Sequence, residues 1–139
     1  MEKSLVLIKP DAVLNSSAGA IIGRLEREGL KIVALKMLWL DKGLAQRHYA
    51  MHAGKPFFND LISYITSAPI VAIVFEGKDA VAVIRKAMGA TDPAKAEPGT
   101  IRRDFGTDIQ QNAVHGSDAV ETAEKEIRLF FTAKEIFNY

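Results

Sequence analysis

The chain has 139 residues, of which 48% are apolar and 25% are charged, a size and composition that predict one compact domain over residues 1–139. Its 18 Lys and Arg residues nearly balance its 17 Asp and Glu residues, so the charge gives no reason to expect a nucleic acid or a membrane as the main partner. The longest apolar runs are too short to cross a bilayer, and no cysteine is present to form a disulfide or a thiolate site, so we expect a cytoplasmic location.

The first predicted element is a short buried strand over Ser4–Ile8. Pro10 ends it, because proline lacks the N–H group that a strand ladder needs. Lys9 therefore lies where the strand ends, and ligand-binding groups commonly gather at the carboxyl ends of strands in open α/β sheets. The alternative is that Lys9 is an ordinary surface lysine.

A helix follows, because apolar residues recur at helical spacing after Ser16 and Ser17, either of which can cap the N-terminus. Gly29 is expected to end this helix. The next stretch, Leu30–Leu40, predicts a long strand whose two faces are both apolar. Such a strand is normally covered on both sides, here by the chain itself or by another subunit.

Two helices are predicted next. The first runs from Leu44 to about His52 and places His48 and His52 four residues apart, a spacing that zinc ligands use. No glutamate lies between the two histidines and no cysteine is nearby, so we predict no metal-binding residue there. The second helix follows Pro56. Phe57 lies at the edge of its apolar stripe, either as the margin of the core or as the wall of a pocket for a flat ring.

The continuously apolar stretch Ile70–Phe75 predicts a central strand, and Asp79 is expected to cap a helix that ends at Gly89. From Ala90 to about Gln111 no periodic pattern is visible. A loop of that length in a small domain commonly carries function.

The clearest chemical signal is the heptad Asn-Ala-Val-His-Gly-Ser-Asp at 112–118. Its first half is predicted to end a short buried strand, and Ser117 or Asp118 to cap a helix. His115 would then occupy a strand-to-helix turn, where free N–H groups and the positive end of the helix dipole suit an anion. A neutral imidazole in that place has one ring nitrogen available as a nucleophile.

Glu126, on the helix that follows, supports a chemical role for His115. Helical geometry places Glu126 about 40° beyond Phe130, at the border of the apolar stripe. A carboxylate at that border can accept the second imidazole N–H and fix the tautomer of the ring. The alternatives are that His115 only packs against the helix and that Glu126 forms a surface ion pair.

The predicted order is strand, helix, strand, helix pair, strand, helix, loop, strand, helix. This order indicates an α+β sandwich on the ferredoxin-like βαββαβ plan, in which a four-stranded antiparallel sheet is covered by helices. We expect the helices to form one layer.

Five segments resemble the nucleoside diphosphate kinase family, in register along the whole chain. They are Lys9-Pro10-Asp11, Lys55-Pro56-Phe57-Phe58, Pro98-Gly99-Thr100-Ile101-Arg102, Asp104-Phe105 and the 112–118 heptad. The first and last of these together are far more specific than either alone.

The resemblance implies a magnesium-dependent, ping-pong transfer of the γ-phosphate from a nucleoside triphosphate such as ATP to a nucleoside diphosphate, through a phosphohistidine on His115. It implies that Glu126 and Ser117 support the histidine and that Tyr49 lies near the transferred phosphoryl group. The nucleotide-binding residues that it implies are Lys9, Arg85, Thr91 and Arg102 at the phosphates, Asn112 at the ribose and phosphates, Phe57 and Leu61 at the base, and Gly116 beside the histidine.

The family also implies Mg²⁺, which we expect to be bound mainly through nucleotide phosphates and not by a protein cage. No GxxxxGK[ST] or GxGxxG motif is present, so a Walker or Rossmann site is excluded. Family members form homo-oligomers built from a common dimer, hexamers with some tetramers. Met51 departs from the family, since relatives often carry an acidic residue there, and we expect it to change only local hydrogen bonding.

Two other functions are alternatives to this one. A ferredoxin-like nucleotide-binding regulator without catalysis would use His115 only structurally. A hydrolase with a triad of His115, Ser117 and Asp118 is disfavoured, because residues so close in sequence seldom form the required relay.

Overall fold

The computed structural model describes residues 1–139 and contains one four-stranded sheet of strand order β2-β3-β1-β4, antiparallel throughout. The strands are β1 (Glu2–Ile8), β2 (Lys31–Leu38), β3 (Ile70–Gly77) and β4 (Val114–Gly116). The helices are α1 (Pro10–Leu14), α2 (Ala18–Arg27), α3 (Lys42–His48), α4 (Phe58–Ile65), α5 (Ala80–Met88), α6 (Ile101–Phe105) and α7 (Val120–Phe130). The predicted ferredoxin-like α+β fold is confirmed. None of the helices combines the length and apolar character needed to span a membrane.

Helices cover both faces of the sheet, so the expectation of a single layer is wrong. Side chains alternate along β1, and Leu5 and Leu7 pack with α3, α4 and α7 while Val6 and Ile8 pack with α2 and α5. All four of these side chains are fully buried, and each contributes about 1.5–3 kcal/mol by leaving water. A central strand that is apolar on both faces therefore needs a helix layer on each side.

Strand β2 lies at the edge of the sheet and is only partly covered by the chain. Val33 and Ala34 are buried, whereas Leu35 and Met37 are 49% and 61% exposed. The sheet register changes at a bulge between Ile32 and Ala34, which lets both Val33 and Ala34 turn toward the core. The two apolar faces predicted for this strand are present, but the chain leaves the Leu35–Met37 side uncovered.

Two short helices were not predicted from the sequence. Helix α1 begins at Pro10, where the missing N–H of proline costs no hydrogen bond because the first turn of a helix has no partner for it. Helix α6 lies within the stretch 90–111, and the Thr100 hydroxyl accepts the N–H of Arg103 at its start. Both helices have five residues, too few to show a periodic pattern.

Asp79 does not cap α5 with its side chain, contrary to the prediction. Its backbone is left-handed, at φ +53°, and the carboxylate of Glu2 accepts the N–H of Val81 at 2.9 Å instead. The start of α5 is therefore capped by Glu2 of β1, which lies 79 positions before Val81 in the sequence.

Candidate active site

His115 lies in the middle of β4, directly opposite Leu7 of β1. Opposite residues of an antiparallel pair project to the same face, so the imidazole points toward the layer of α3 and α7. The strand-to-helix turn was predicted at His115, but it lies at residues 117–119, because β4 includes Gly116 and α7 begins only at Val120. The histidine is thus held by strand hydrogen bonds, and its side chain is 24% exposed.

Glu126 and Ser117 fix the orientation of this ring. Nε2 of His115 is 3.0 and 3.1 Å from the two carboxylate oxygens of Glu126, and the Ser117 hydroxyl donates to Oε1 at 2.5 Å. The predicted capping role of Ser117 or Asp118 is wrong, since the residue before α7 is Ala119 and no side chain caps this helix. The serine hydroxyl is used on the carboxylate instead.

The charge state of Glu126 follows from these contacts. Burial alone would raise the pKa of its carboxyl group, but the hydrogen bonds from His115 and Ser117 and the electrostatic effect of His115 and His48 outweigh it and hold the pKa below its usual value. An ionised Glu126 accepts the N–H on Nε2 of His115. The lone pair of the neutral imidazole is then on Nδ1.

His48 of α3 packs edge-on against His115, with ring centroids 4.8 Å apart and an interplanar angle of 86°. Burial, and then the proximity of His115, lower the pKa of His48 to about 3, although Glu126 acts in the opposite direction. His48 is therefore neutral at physiological pH. Neither of its ring nitrogens has a hydrogen-bond partner in the protein.

The turn out of β1 is tied to the approach to β4. Nζ of Lys9 donates to the side-chain oxygen of Asn112 at 2.8 Å, and the backbone N–H of Lys9 donates to the carbonyl of Ala113, also at 2.8 Å. A carboxylate oxygen of Asp11 accepts the N–H of Ala113 at 3.1 Å, and the hydroxyl of Tyr64 donates to the other. These bonds hold Ala113 at φ +75°, a conformation that costs a residue with a Cβ roughly 1–2 kcal/mol.

Two buried cations lie beside each other in this region. Burial, and then the charge of Arg102, lower the pKa of Lys9 to about 8. Burial, and then Arg85, lower the pKa of Arg102 to about 10. Arg102 also donates to the carbonyl oxygens of Gly89 at 3.2 Å and Val114 at 3.0 Å. Cations that repel one another in a partly dry place are stabilised by an anion between them.

These groups meet in an open cavity of about 490 Å³. Its lining residues are Lys9, Tyr49, His52, Phe57, Leu61, Thr91, Arg102, Ile109, Gln110, Asn112 and His115. Basic and amide groups lie toward His115, and the rest of the wall is largely apolar, including Phe57 at 46% exposure. Neither aspartate nor glutamate lines the cavity. Its size and lining suit a small anionic ligand with a flat apolar part.

Eight of the twelve predicted site residues line this cavity, and four do not. Glu126 and Ser117 lie behind the histidine ring, and Gly116 is buried on the opposite face of β4. Arg85 is exposed and its guanidinium is 3.5 Å from the carbonyl oxygen of Gly116. It therefore lies beside the cavity in the absence of a ligand.

Packing requires the glycine at 116. A Cβ at Gly116 would lie 2.7 Å from Cε and 2.8 Å from Sδ of Met88, and 3.0 Å from Cγ2 of Ile84. Helix α5 thus approaches the strand that carries His115 as closely as a glycine permits.

Three residues that line the cavity, His52, Ile109 and Gln110, were not predicted as site residues. Asp11 and His48 support the site without lining the cavity, and the sequence-based prediction gave them no role either. Asp11 positions Ala113 and Tyr64, and His48 packs against the ring of His115. Asp11 belongs to the Lys9-Pro10-Asp11 segment that carries the family resemblance, but no role for its carboxylate followed from that segment. Helical spacing paired His48 with His52 as a possible zinc site. In the structure the ring of His48 packs against His115, 67 positions further along the chain.

The fold and this cavity together define a ferredoxin-like domain that can hold an anionic ligand beside an oriented histidine. The model of the family described as nucleoside diphosphate kinase matches residues 2–136. A nucleoside diphosphate kinase from Dehalococcoides mccartyi is 58% identical over 139 residues, covering 100% of this chain and 98% of the relative. One from Archaeoglobus fulgidus is 56% identical and covers 100% of this chain and 92% of the relative.

Solved structures agree. The Halobacterium salinarum nucleoside diphosphate kinase in complex with CDP superimposes with a TM-score of 0.97 at 47% identity, covering 99% of this chain and 92% of that one. The Aquifex aeolicus nucleoside diphosphate kinase gives a TM-score of 0.95 at 40% identity, covering 98% and 99%. The chain belongs to the nucleoside diphosphate kinase family, and it is an enzyme of the transferase class.

Proposed function

We propose that this chain exchanges the terminal phosphate between nucleoside triphosphates and diphosphates by a ping-pong route through Nδ1 of His115. The observation that carries the proposal is the pairing of Nε2 with Glu126 at 3.0 Å, which leaves the Nδ1 lone pair as the nucleophile. A non-catalytic regulator is not favoured, because the curated relatives are named as the enzyme.

In the first half-reaction Nδ1 bonds to the γ-phosphorus, the bond from that phosphorus to the β–γ bridging oxygen breaks, and the nucleoside diphosphate leaves with the electron pair. In the second, a terminal oxygen of another diphosphate bonds to the phosphorus and the N–P bond breaks. The phosphorylated ring carries positive charge while it keeps its proton on Nε2. The ionised Glu126 stabilises that charge, and the Ser117 hydroxyl holds the carboxylate in place.

The cations of the cavity match the charge of a triphosphate. Lys9 and Arg102 lie on its wall and Thr91 at its margin, and Arg85 can turn from its position beside Gly116 toward bound phosphates. Phosphoryl transfer depends chiefly on positioning and on charge stabilisation at the equatorial oxygens, which these groups supply. Tyr49 lines the cavity beside His115, with its hydroxyl otherwise unpartnered.

The apolar part of the cavity suits the base. Phe57 presents its ring to the opening and Leu61 lies beside it, so a base can stack without its identity being read. Asn112 is held by Lys9 and by the carbonyl of Thr91 at 3.0 Å, and this fixed amide supports a role for Asn112 at the ribose and phosphates. The bound CDP named for the Halobacterium salinarum relative supports a nucleotide in this cavity.

We propose Mg²⁺ as the cofactor, carried into the cavity on the phosphates. The lining contains no carboxylate, a donor set that fits a cation held by phosphate oxygens and water and not by a protein cage. When bound, the cation neutralises phosphate charge that Lys9 and Arg102 leave uncompensated.

We also propose that the chain forms a homo-oligomer, a hexamer with a tetramer as the alternative. The uncovered apolar side chains Leu35, Met37 and Trp39 at the β2 edge are a surface that a second copy can bury. Light scattering on the purified chain distinguishes six copies from four.

Labelling with γ-³²P-ATP tests the catalytic proposal. Incubation with Mg²⁺ should give one acid-labile phosphate on each chain, and subsequent addition of any nucleoside diphosphate should remove it. His115→Ala should abolish both labelling and exchange while its melting curve stays cooperative. An unlabelled wild-type chain, or a folded His115→Ala variant that still labels, would show that His115 is not the nucleophile.

A further inference from the structure

His48, His115 and Glu126 form a compact cluster behind the cavity. Their nearest ligand-type atoms all lie within 4.8 Å of one another. Oε2 of Glu126 is 3.1 Å from Nε2 of His115 and 3.8 Å from Nδ1 of His48. Two imidazoles and a carboxylate are a common ligand set for zinc in enzymes.

His48 is the member of the cluster for which the phosphoryl-transfer chemistry has no use. Its side chain is 1% exposed, yet neither ring nitrogen has a hydrogen-bond partner. A buried polar group left without a partner costs about 1–3 kcal/mol, and such groups in native proteins usually have a ligand or a chemical role. Nδ1 of this ring faces the carboxylate that also holds His115.

We propose that the cluster of His48, His115 and Glu126 is an inhibitory site for a zinc-like divalent cation, separate from the magnesium that accompanies the nucleotide. Imidazole nitrogen favours Zn²⁺, Co²⁺, Ni²⁺ and Cu²⁺, whereas Mg²⁺ favours oxygen ligands. Zinc bonds of about 2.0–2.2 Å place tetrahedral ligand atoms roughly 3.4 Å apart. The largest separation in the cluster, 4.8 Å, must therefore close by a little more than about 1 Å when a tetrahedral cation binds, with water as the fourth ligand.

The cation would inhibit by changing the tautomer of His115. A metal bonded to Nε2 displaces the proton from that nitrogen, and the neutral ring then carries its proton on Nδ1. The Nδ1 lone pair is consumed by that N–H bond, so the ring cannot attack phosphorus. His48 and Glu126 do not line the nucleotide cavity, so the metal blocks the chemistry without displacing the nucleotide. This consequence rests on the proposed function, but the metal site itself does not.

Binding is tested first, without nucleotide. The full-length chain is titrated with Co²⁺ and the visible absorption of the bound ion is recorded. We expect one equivalent per chain, displaced by Zn²⁺. The chain has three histidines and no cysteine, so the controls are simple: His48→Phe should weaken binding at least tenfold, while His52→Gln should leave the spectrum unchanged. His48→Gln gives the same test if the phenylalanine variant does not fold. Absence of a cobalt spectrum, or one that survives loss of His48, overturns the site.

Inhibition is tested next, at saturating Mg²⁺. Zinc should lower kcat at least tenfold, leave the Kd for ADP within about twofold, and be reversed by a chelator. The rates of His48→Phe are expressed relative to that variant's own zinc-free rate. The zinc concentration that gives half-inhibition should then be at least tenfold higher than in the wild type. Zinc that displaces ADP, or that inhibits both proteins alike, overturns the inhibitory mechanism. Labelling of His115 without zinc tests the proposed function on its own. Failure of the zinc mechanism can therefore be distinguished from failure of the proposed function.

Discussion

Nε2 of His115 lies 3.0 Å from Oε1 of Glu126, a residue 11 positions further along the chain on helix α7. This contact joins the short edge strand β4 to the helix layer, and it determines which ring nitrogen carries the proton. The geometry of the strand and the chemistry of the histidine therefore depend on the same carboxylate.

Replacing Glu126 by Gln should separate orientation from charge. The Gln carbonyl can still accept the N–H on Nε2, but no negative charge remains to stabilise the phosphorylated ring. We expect kcat to fall about 10- to 100-fold with little change in nucleotide affinity, measured by steady-state exchange and ADP titration. Ser117→Ala is the matched control, because it removes one hydrogen bond to the same carboxylate, and it should cost roughly tenfold or less. A Glu126→Gln enzyme as fast as wild type would remove the carboxylate from catalysis.

Arg102→Ala and Arg85→Ala should differ in their effect on the free energy of unfolding. Arg102 donates to two backbone carbonyls, so its removal leaves buried acceptors unpaired and should lower the free energy of unfolding by about 1–3 kcal/mol as well as slowing exchange. Arg85 is exposed, so Arg85→Ala should slow exchange while stability changes by less than about 0.5 kcal/mol. Urea melts and exchange rates on both variants decide this. Equal losses of stability would contradict the difference in burial.

Sequence patterns predicted the side-chain contact of His115 with Glu126 better than they predicted the backbone around those residues. The border position of Glu126 on α7 followed from helical spacing, and in the structure its carboxylate contacts the ring of His115. The bond from Ser117 to Glu126 does not follow from the local pattern, because a Ser before a helix has the same pattern whether its hydroxyl caps the helix or bonds to a side chain nine positions away. Only the family resemblance implied that Ser117 supports the histidine. The bonds of Asp11 to Ala113 and Tyr64 span 102 and 53 positions, distances at which no local pattern carries information.

Lys9 should make nucleotide binding sensitive to pH in the alkaline range. Burial and Arg102 lower its pKa to about 8 in the free protein, so Nζ is charged below that pH and neutral above it. Bound phosphates favour the charged form, so ADP affinity should be constant below pH 8 and fall by up to about tenfold per pH unit above it. Isothermal titration between pH 7 and 9.5 measures this. In Lys9→Gln affinity should be lower and the slope should disappear; a slope that persists would assign the titration to another group.

Phe57→Ala should weaken the binding of all nucleotides alike. The ring is 46% exposed at the mouth of the cavity, and stacking on a base contributes about 1–3 kcal/mol whatever the base. We expect the Kd values for ADP, GDP, CDP and UDP to rise by similar factors. The free energy of unfolding should stay within about 0.5 kcal/mol of the wild type, because the ring is not part of the core. A loss confined to purines would mean that the site reads ring size.

Gly116→Ala should disturb His115 from the opposite face of the strand. The added methyl would lie 2.7 Å from Cε of Met88, so either the thioether must move or β4 must shift. Overpacking of this kind costs about 1–3 kcal/mol of stability, and a shift of β4 would also loosen the contact between His115 and Glu126 and reduce kcat.

Shortening Met88 tests whether that clash is the cause. In Gly116→Ala/Met88→Ala the two closest contacts of the methyl are gone and only that with Cγ2 of Ile84 at 3.0 Å remains. Activity should therefore recover in part relative to Gly116→Ala, although Met88→Ala alone lowers stability by about 2–5 kcal/mol. The two effects share one contact and should not add. Double-mutant analysis of unfolding and of exchange rates measures the coupling. Simple additivity would mean that the alanine does not act through its contact with Met88.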